Sequence, residues 1–179
     1  VRNIVVFDLE TQYAAEEVGG WRYIRDMRLA VAVTYNTTTD VYRDYTEQEV
    51  ERLIDTLRGA DLVIGYNVLR FDYEVLHAYT TEKLDRIPTL DMLDSLYRTL
   101  GWRPSLDTVA AATLGETKSA DGLQAIRWFR EGQLDKLTAY CRHDVEVTWK
   151  VYQFGRRNGY VQYHDRRWRV HKAPVKWNK

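Results

Sequence analysis

Asn3-Ile4-Val5-Val6-Phe7-Asp8-Leu9-Glu10 opens the chain with an apolar, β-branched run that ends in two carboxylates. Asn3 to Asp8 reads as a buried strand, because short apolar runs bounded by polar residues belong to sheets covered on both faces. Side chains alternate along a strand, so Asp8 and Glu10 share one face while Leu9 takes the other. Two carboxylates held on a rigid strand end are natural ligands for a hard divalent cation. Asp-x-Glu alone is a common tripeptide. Its weight comes from its place at a carboxyl end of a sheet strand, where loops commonly build sites.

Outward from this strand, residues 11 to 27 read as a loop punctuated by Gly19-Gly20. Leu29 to Tyr35 and Asp40 to Tyr45 read as a hairpin around Asn36-Thr37-Thr38-Thr39. Thr46 and Glu49 form a capping-box pattern before a helix whose apolar face is Val50, Leu53, Ile54 and Leu57, with Gly59 as its stop. A strand from Asp61 to Gly65 and a helix from about Phe71 to Tyr79 follow. Pro88 then precedes a helix near Asp91 to Leu100. Ser105 or Asp107 opens a short helix, and Asp121 opens the next. The last long helix runs from about Leu134 to Phe154, closed by Gly155, with Gly155 and Gly159 together ending it and starting the following segment. This order predicts an α/β fold with a mixed β-sheet flanked by α-helices.

The chain has 179 residues, enough for one domain with a well-buried core. Hydrophobic residues at 45% and charged residues at 29% exclude a disordered chain. It has no run of eighteen apolar residues and no basic-then-apolar leader, which predicts a soluble, cytoplasmic protein without a membrane partner. Cys141 is the only cysteine, so no internal disulfide and no cysteine-built zinc site is available.

The formal net charge of zero conceals a division. Residues 156–179 hold eight Lys or Arg and one acid, Asp165, giving +7, which leaves −7 on the preceding residues. Tyr160, Tyr163, Trp168 and Trp177 interleave with those cations. The expected organisation is a domain over 1–155 and a basic, aromatic extension over 156–179 with hairpin character. A cationic arm for a polyanion and a hairpin packed on the domain both remain open.

Two further clusters carry candidate chemistry. Gly65-Tyr66-Asn67-Val68-Leu69-Arg70-Phe71-Asp72 follows the second apolar strand and puts Asp72 in the first turn of a helix. There its charge complements the helix dipole whether or not it binds metal. Tyr140 and Asp144 lie four residues apart, one above the other on the last helix; a structural Tyr–Asp hydrogen bond is the plain alternative to catalysis. Asp91 and Asp94 suit solvated or capping roles, and His77 and His143 suit surface or packing roles. Trp21 and Tyr23 suit a stacking, core or lid role equally.

Phe7-Asp8-Leu9-Glu10-Thr11, Asn67 through Phe71-Asp72, and Tyr140-x-x-x-Asp144 together resemble the three motifs of the DEDD 3′-5′ exonucleases on the ribonuclease H-like fold. The resemblance is to the tyrosine branch (DEDDy), since the histidine branch needs a His five residues before Asp144, where Ala139 stands. The second motif is close to that of family B DNA polymerase proofreading domains. Ser105-Leu106-Asp107 through Leu114-Gly115 to Lys118 resembles prokaryotic DEDDy domains that are free-standing or fused to helicases. A helicase or polymerase partner is therefore expected if the chain is part of a larger protein.

The resemblance implies two-metal hydrolysis of phosphodiester bonds in single-stranded DNA or RNA from the 3′ end, with Mg²⁺ as metal and Mn²⁺ able to substitute. Asp8 would bridge both ions, Glu10 and Asp144 would complete the water-activating site, and Asp72 would serve the leaving-group site. Tyr140 would orient the attacking water. Asn67, Phe71 and Lys118 in the matched stretches, and Arg166, Arg167 and Trp168 in the basic segment, are the expected substrate contacts. A binding module that keeps the fold without turnover is the alternative, although such a module has no need for four converging acids.

Overall fold

The structure is a computed structural model that describes residues 2–116 and 120–177. Its frame is a five-stranded sheet formed by β1 (Ile4–Thr11), β2 (Leu29–Asn36), β3 (Val41–Thr46), β4 (Leu62–Gly65) and β5 (Thr89–Asp91), in the order β3-β2-β1-β4-β5. β1 pairs antiparallel with β2 and parallel with β4; β2–β3 is antiparallel and β4–β5 parallel. The sheet is mixed, as the order of apolar runs predicts.

Alternation along the central strand sorts the core into two layers. Val5, Phe7 and Leu9 face α1 (Val50–Arg58) and α2 (Asp72–Leu76), packing with Leu53, Leu57, Tyr73 and Leu76. Val6 faces the other way, into a core built by α3 (Met92–Leu100), α4 (Leu106–Leu114), α5 (Gly122–Arg130) and α6 (Leu134–Asn158). Asp8 and Glu10 lie on this second face, since they share its parity. A strand covered on both sides explains why the run reads as continuously apolar.

Local signals account for most helix starts. Thr46 N donates to Glu49 Oε2 at 3.1 Å in the expected capping box. The chain makes a 3₁₀ turn over Glu47–Glu49 before α1, whose buried residues are the four expected. Ser105 caps α4 and Asp121 caps α5. The loop over 11–27 is more ordered than its composition suggests, with 3₁₀ turns over Ala15–Val18 and Trp21–Met27. β5, the three residues that directly follow Pro88, is too short to show a period.

Two boundaries need correcting. The helix expected from about Phe71 to Tyr79 is the shorter α2, Asp72–Leu76. Gly155 does not end the last helix: α6 continues to Asn158 and stops at Gly159, whose φ of 74° is the left-handed cap. Gly155 is there for space. A Cβ at this position would lie 2.4 Å from Cζ3 of Trp177.

Beyond α6, β6 (Tyr160–His164) and β7 (Val170–Pro174) form an antiparallel hairpin. Val161, Ala173, Val175 and Trp177 are buried in the same core as α6. Trp177, one of the aromatics interleaved with the cations, is 3% exposed and stacks on Tyr152. Among the described residues no helix is long and apolar enough to cross a membrane.

Candidate metal centre and its surroundings

The centre is assembled where α6 crosses the end of β1. Asp8 and Glu10 project together from the strand, and Asp144 comes down from the helix. One carboxylate oxygen from each lies within 4.8 Å of the others. All three residues are half-buried. The helix is pinned over the strand by Cys141, whose buried Sγ donates to the Asp8 carbonyl at 3.4 Å and sits 3.6 Å from Asp8 Oδ2.

Asp72 reaches the centre from the opposite core layer. It is 2% exposed, and its Oδ1 accepts from Leu9 N at 3.2 Å. β1 pairs with β4 only as far as Val6, so the carboxylate takes a strand amide beyond the paired stretch. Asp72 keeps the first-turn position in α2 expected from sequence, and this bond adds a long-range contact that fixes the side chain. Asp72 stands outside the three-carboxylate group, yet close enough for its charge to act on Asp8.

The electrostatics follow from this crowding. Burial first, then the charges of Asp72, Asp144 and Glu10, push the Asp8 carboxyl well above the usual range. Burial, then Asp91, pushes Asp72 up to about 8. Tyr140 is 5% exposed, and its phenol is raised by burial and then by Glu10, Asp144 and Asp8, so it stays protonated as a hydrogen-bond donor. Its ring meets Trp128 of α5 edge-on at 6.0 Å.

The second motif is held by a residue that sequence reading undervalued. Asp91, buried between β5 and α3, accepts from the backbone N–H groups of Asn67, Leu69, Leu93 and Asp94 at 2.9 to 3.2 Å. It caps α3 and fastens the turn after β4 in one step. Asn67 takes φ = 68° in that turn, and its Oδ1 accepts from Arg103 Nη2. Gly65 precedes it because an added Cβ would lie 2.2 Å from Val68 Cγ1. Asp94 pairs with Arg98 at 2.9 Å on the surface.

Phe71, just before Asp72, meets the exposed Trp21 edge-on at 6.3 Å, which brings the early loop against the second motif. Arg166, Arg167 and Trp168 lie exposed in the turn of the β6–β7 hairpin. Lys118 lies outside the described residues. Sequence reading treated Asp107 as a helix opener within a family-like stretch and gave it no place in the site, yet it lines a narrow crevice with His143 and Asp144, and its charge acts on Tyr140. Its signal was two residues after the Ser105 cap, a position that looks like ordinary first-turn charge.

The donor set fits hard divalent cations. It offers carboxylate oxygens and no thiolate, since the Cys141 thiol is buried and raised well above its ordinary value. Burial raises both Asp8 and Asp72, and the neighbouring carboxylates raise Asp8 further, so a bound cation would relieve the crowding.

No curated protein matches the sequence. Residues 5–154 match the family profile described as RNase_H superfamily, a span that takes in β1 through the third motif on α6. A mixed five-stranded sheet between helical layers, with acids converging at the end of its central strand, agrees with that match, and the chain belongs to the RNase H superfamily.

Proposed function

We propose that the chain is a metal-dependent 3′-5′ exonuclease of the DEDDy type, acting on single-stranded DNA or RNA. The observation that carries the proposal is the meeting of Asp8, Glu10 and Asp144 within 4.8 Å, with Asp72 buried behind Asp8. Family membership supports nuclease chemistry. The tyrosine in the third motif and the four acids support the finer assignment.

Asp8, Glu10, Asp144 and Asp72 would hold Mg²⁺, or Mn²⁺ in its place. Cations bound there would neutralise phosphate charge and favour ionisation of water at neutral pH. Tyr140, protonated and buried beside three acids, donates a hydrogen bond that orients water towards the phosphorus. Cys141 keeps Asp8 in register with α6, and Leu9 N–H keeps Asp72 turned inward. Asn67 and Phe71 would meet the terminal nucleotide; the Asp91-fastened turn around Asn67 and the contact of Phe71 with Trp21 support this reading.

The test is degradation of 3′-labelled, 5′-labelled and end-blocked DNA and RNA oligonucleotides, with Mg²⁺, with Mn²⁺ and with chelator. Mononucleotide release from free 3′ ends, dependent on metal, is the expected result. Hydrolysis of 3′-blocked or circular strands would refute the exonuclease assignment, and tight binding without hydrolysis would establish the non-catalytic module instead.

A further inference from the structure

The β6–β7 hairpin is fixed at one end and displayed at the other. Its base is tied to the domain by Trp177 Nε1, which donates to Ser95 Oγ at 2.9 Å. Thr113 of α4 exchanges hydrogen bonds with Gln162 O and N at 3.0 and 2.9 Å. The far turn is organised around Asp165. Its Oδ1 accepts from the N–H groups of Arg167 and Arg169 at 2.8 and 3.0 Å. Its Oδ2 accepts from Arg169 Nε and lies 2.9 Å from His171 Nε2.

This turn holds Trp168 at φ = 58° with 78% of the residue exposed. A non-glycine residue in the left-handed region carries a backbone cost. The indole recovers little of that by burial, and its ring contact is a tilted one with His164 at 5.2 Å. The indole is therefore held in one place and left accessible to a molecule outside the chain.

Two adjoining cavities of about 600 and 400 Å³ lie between the turn and α4, sharing Thr108, His164, Asp165 and Arg166. Trp102 and Tyr163, edge-on at 5.4 Å, wall the first. Trp168 walls the second, which reaches Asp107. Asp107 also lines the crevice that holds Asp144. The groove beside the displayed indole and the narrow crevice beside Asp144 thus meet at Asp107 of α4.

Aromatic walls and the exposed cations Arg166 and Arg167 suit a flexible polyanion with open ring faces, which is an unpaired nucleic-acid strand. We propose that this groove is a single-strand guide, in which Trp168 stacks on a base, Arg166 and Arg167 meet phosphates, and the strand passes Asp107 to the carboxylates. The proposal rests on the nuclease reading and adds to it the route by which the strand enters.

Binding of labelled DNA and RNA strands of about 20 nucleotides, and of a blunt duplex, is measured by anisotropy in chelator, where no hydrolysis competes. Trp168→Gly removes the ring and relieves the positive φ, so its melting temperature should equal or exceed that of the unaltered protein. It should weaken single-strand binding about tenfold, with Trp168→Phe retaining most of the affinity. Arg166→Ser with Arg167→Ser should make the log–log salt slope shallower by about 0.7 for each phosphate that is no longer neutralised. Duplex binding should be unchanged throughout. Unaltered single-strand affinity in Trp168→Gly, an unaltered slope in the arginine variant, or an equal loss on duplex would each overturn the guide. Metal-dependent hydrolysis is scored separately. Failure of the nuclease reading shows as no product from any protein, and failure of the guide as product formation with unaltered binding.

Discussion

Asp72→Asn separates the cost of the carboxylate centre from its use. Asp72 is buried, and its carboxyl sits at about 8 against an ordinary value of 3.8. A raised carboxyl makes the folded state bind a proton that the unfolded chain has already released. Stability of the metal-free protein therefore falls as pH rises from about 4 towards 8, and the full cost is present above that window. At about 1.4 kcal/mol per pH unit the ceiling is on the order of 5 kcal/mol, and relaxation of the site brings the expected cost to about 3 kcal/mol. Asn keeps the shape and still accepts from Leu9 N–H, but cannot ionise. In excess chelator at pH 8, Asp72→Asn should thus melt about 6 to 12 °C above the unaltered protein, with little difference near pH 4 to 5. Adding Mg²⁺ should reverse the order, because the unaltered protein gains metal-linked stability that the variant has given up. The assay is thermal melting by circular dichroism at both pH values, with and without metal. An Asn variant that melts at or below the unaltered protein at pH 8 in chelator would refute the argument that Asp72 is a strained acid kept for a cation.

Tyr140→Phe removes one hydroxyl and should lower the turnover number about tenfold to a thousandfold with folding and metal-linked stabilisation intact; an unchanged turnover number would leave Tyr140 a purely structural residue. Asp8→Ala should abolish hydrolysis while the chain remains folded, read by product formation and melting in parallel. Chelator should silence the unaltered protein, and Mg²⁺ or Mn²⁺ should restore activity and raise the melting temperature together. Gly155→Ala places a methyl 2.4 Å from the Trp177 ring and should cost about 1–3 kcal/mol, seen as a lower denaturant midpoint. No change there would mean that the hairpin is not seated on α6.

The first strand, the β2–β3 hairpin and the caps at Thr46, Ser105 and Asp121 were legible because each depends on residues within one turn or one strand. Parity along β1 also put Asp8 and Glu10 on a shared face before any packing was known. What stayed hidden depends on partners far along the chain. Asp91 looks like a solvated cap in sequence, and only the return of β5 beside β4 brings it under Asn67. Asp107 looks like first-turn charge until α4 is laid against α6.

Gly155 shows why the error at the end of the chain was of this kind. In sequence, a glycine at the end of an apolar period means a helix stop, because backbone freedom is the only property of glycine that local reasoning can use. In the fold its decisive property is the missing Cβ, which admits the Trp177 ring. Reading Gly155 as a stop also leaves the attachment of the following segment undecided, so that its +7 suits a cationic arm and a packed hairpin alike. Once Trp177 is seated on α6, the cations and rings of the hairpin divide by position. Val161, Ala173 and Trp177 stabilise the fold, whereas Arg166, Arg167 and Trp168 are carried on a turn that the fold holds in place. A basic aromatic segment that was ambiguous as a whole becomes specific residue by residue, and its turn displays an exposed indole beside exposed cations.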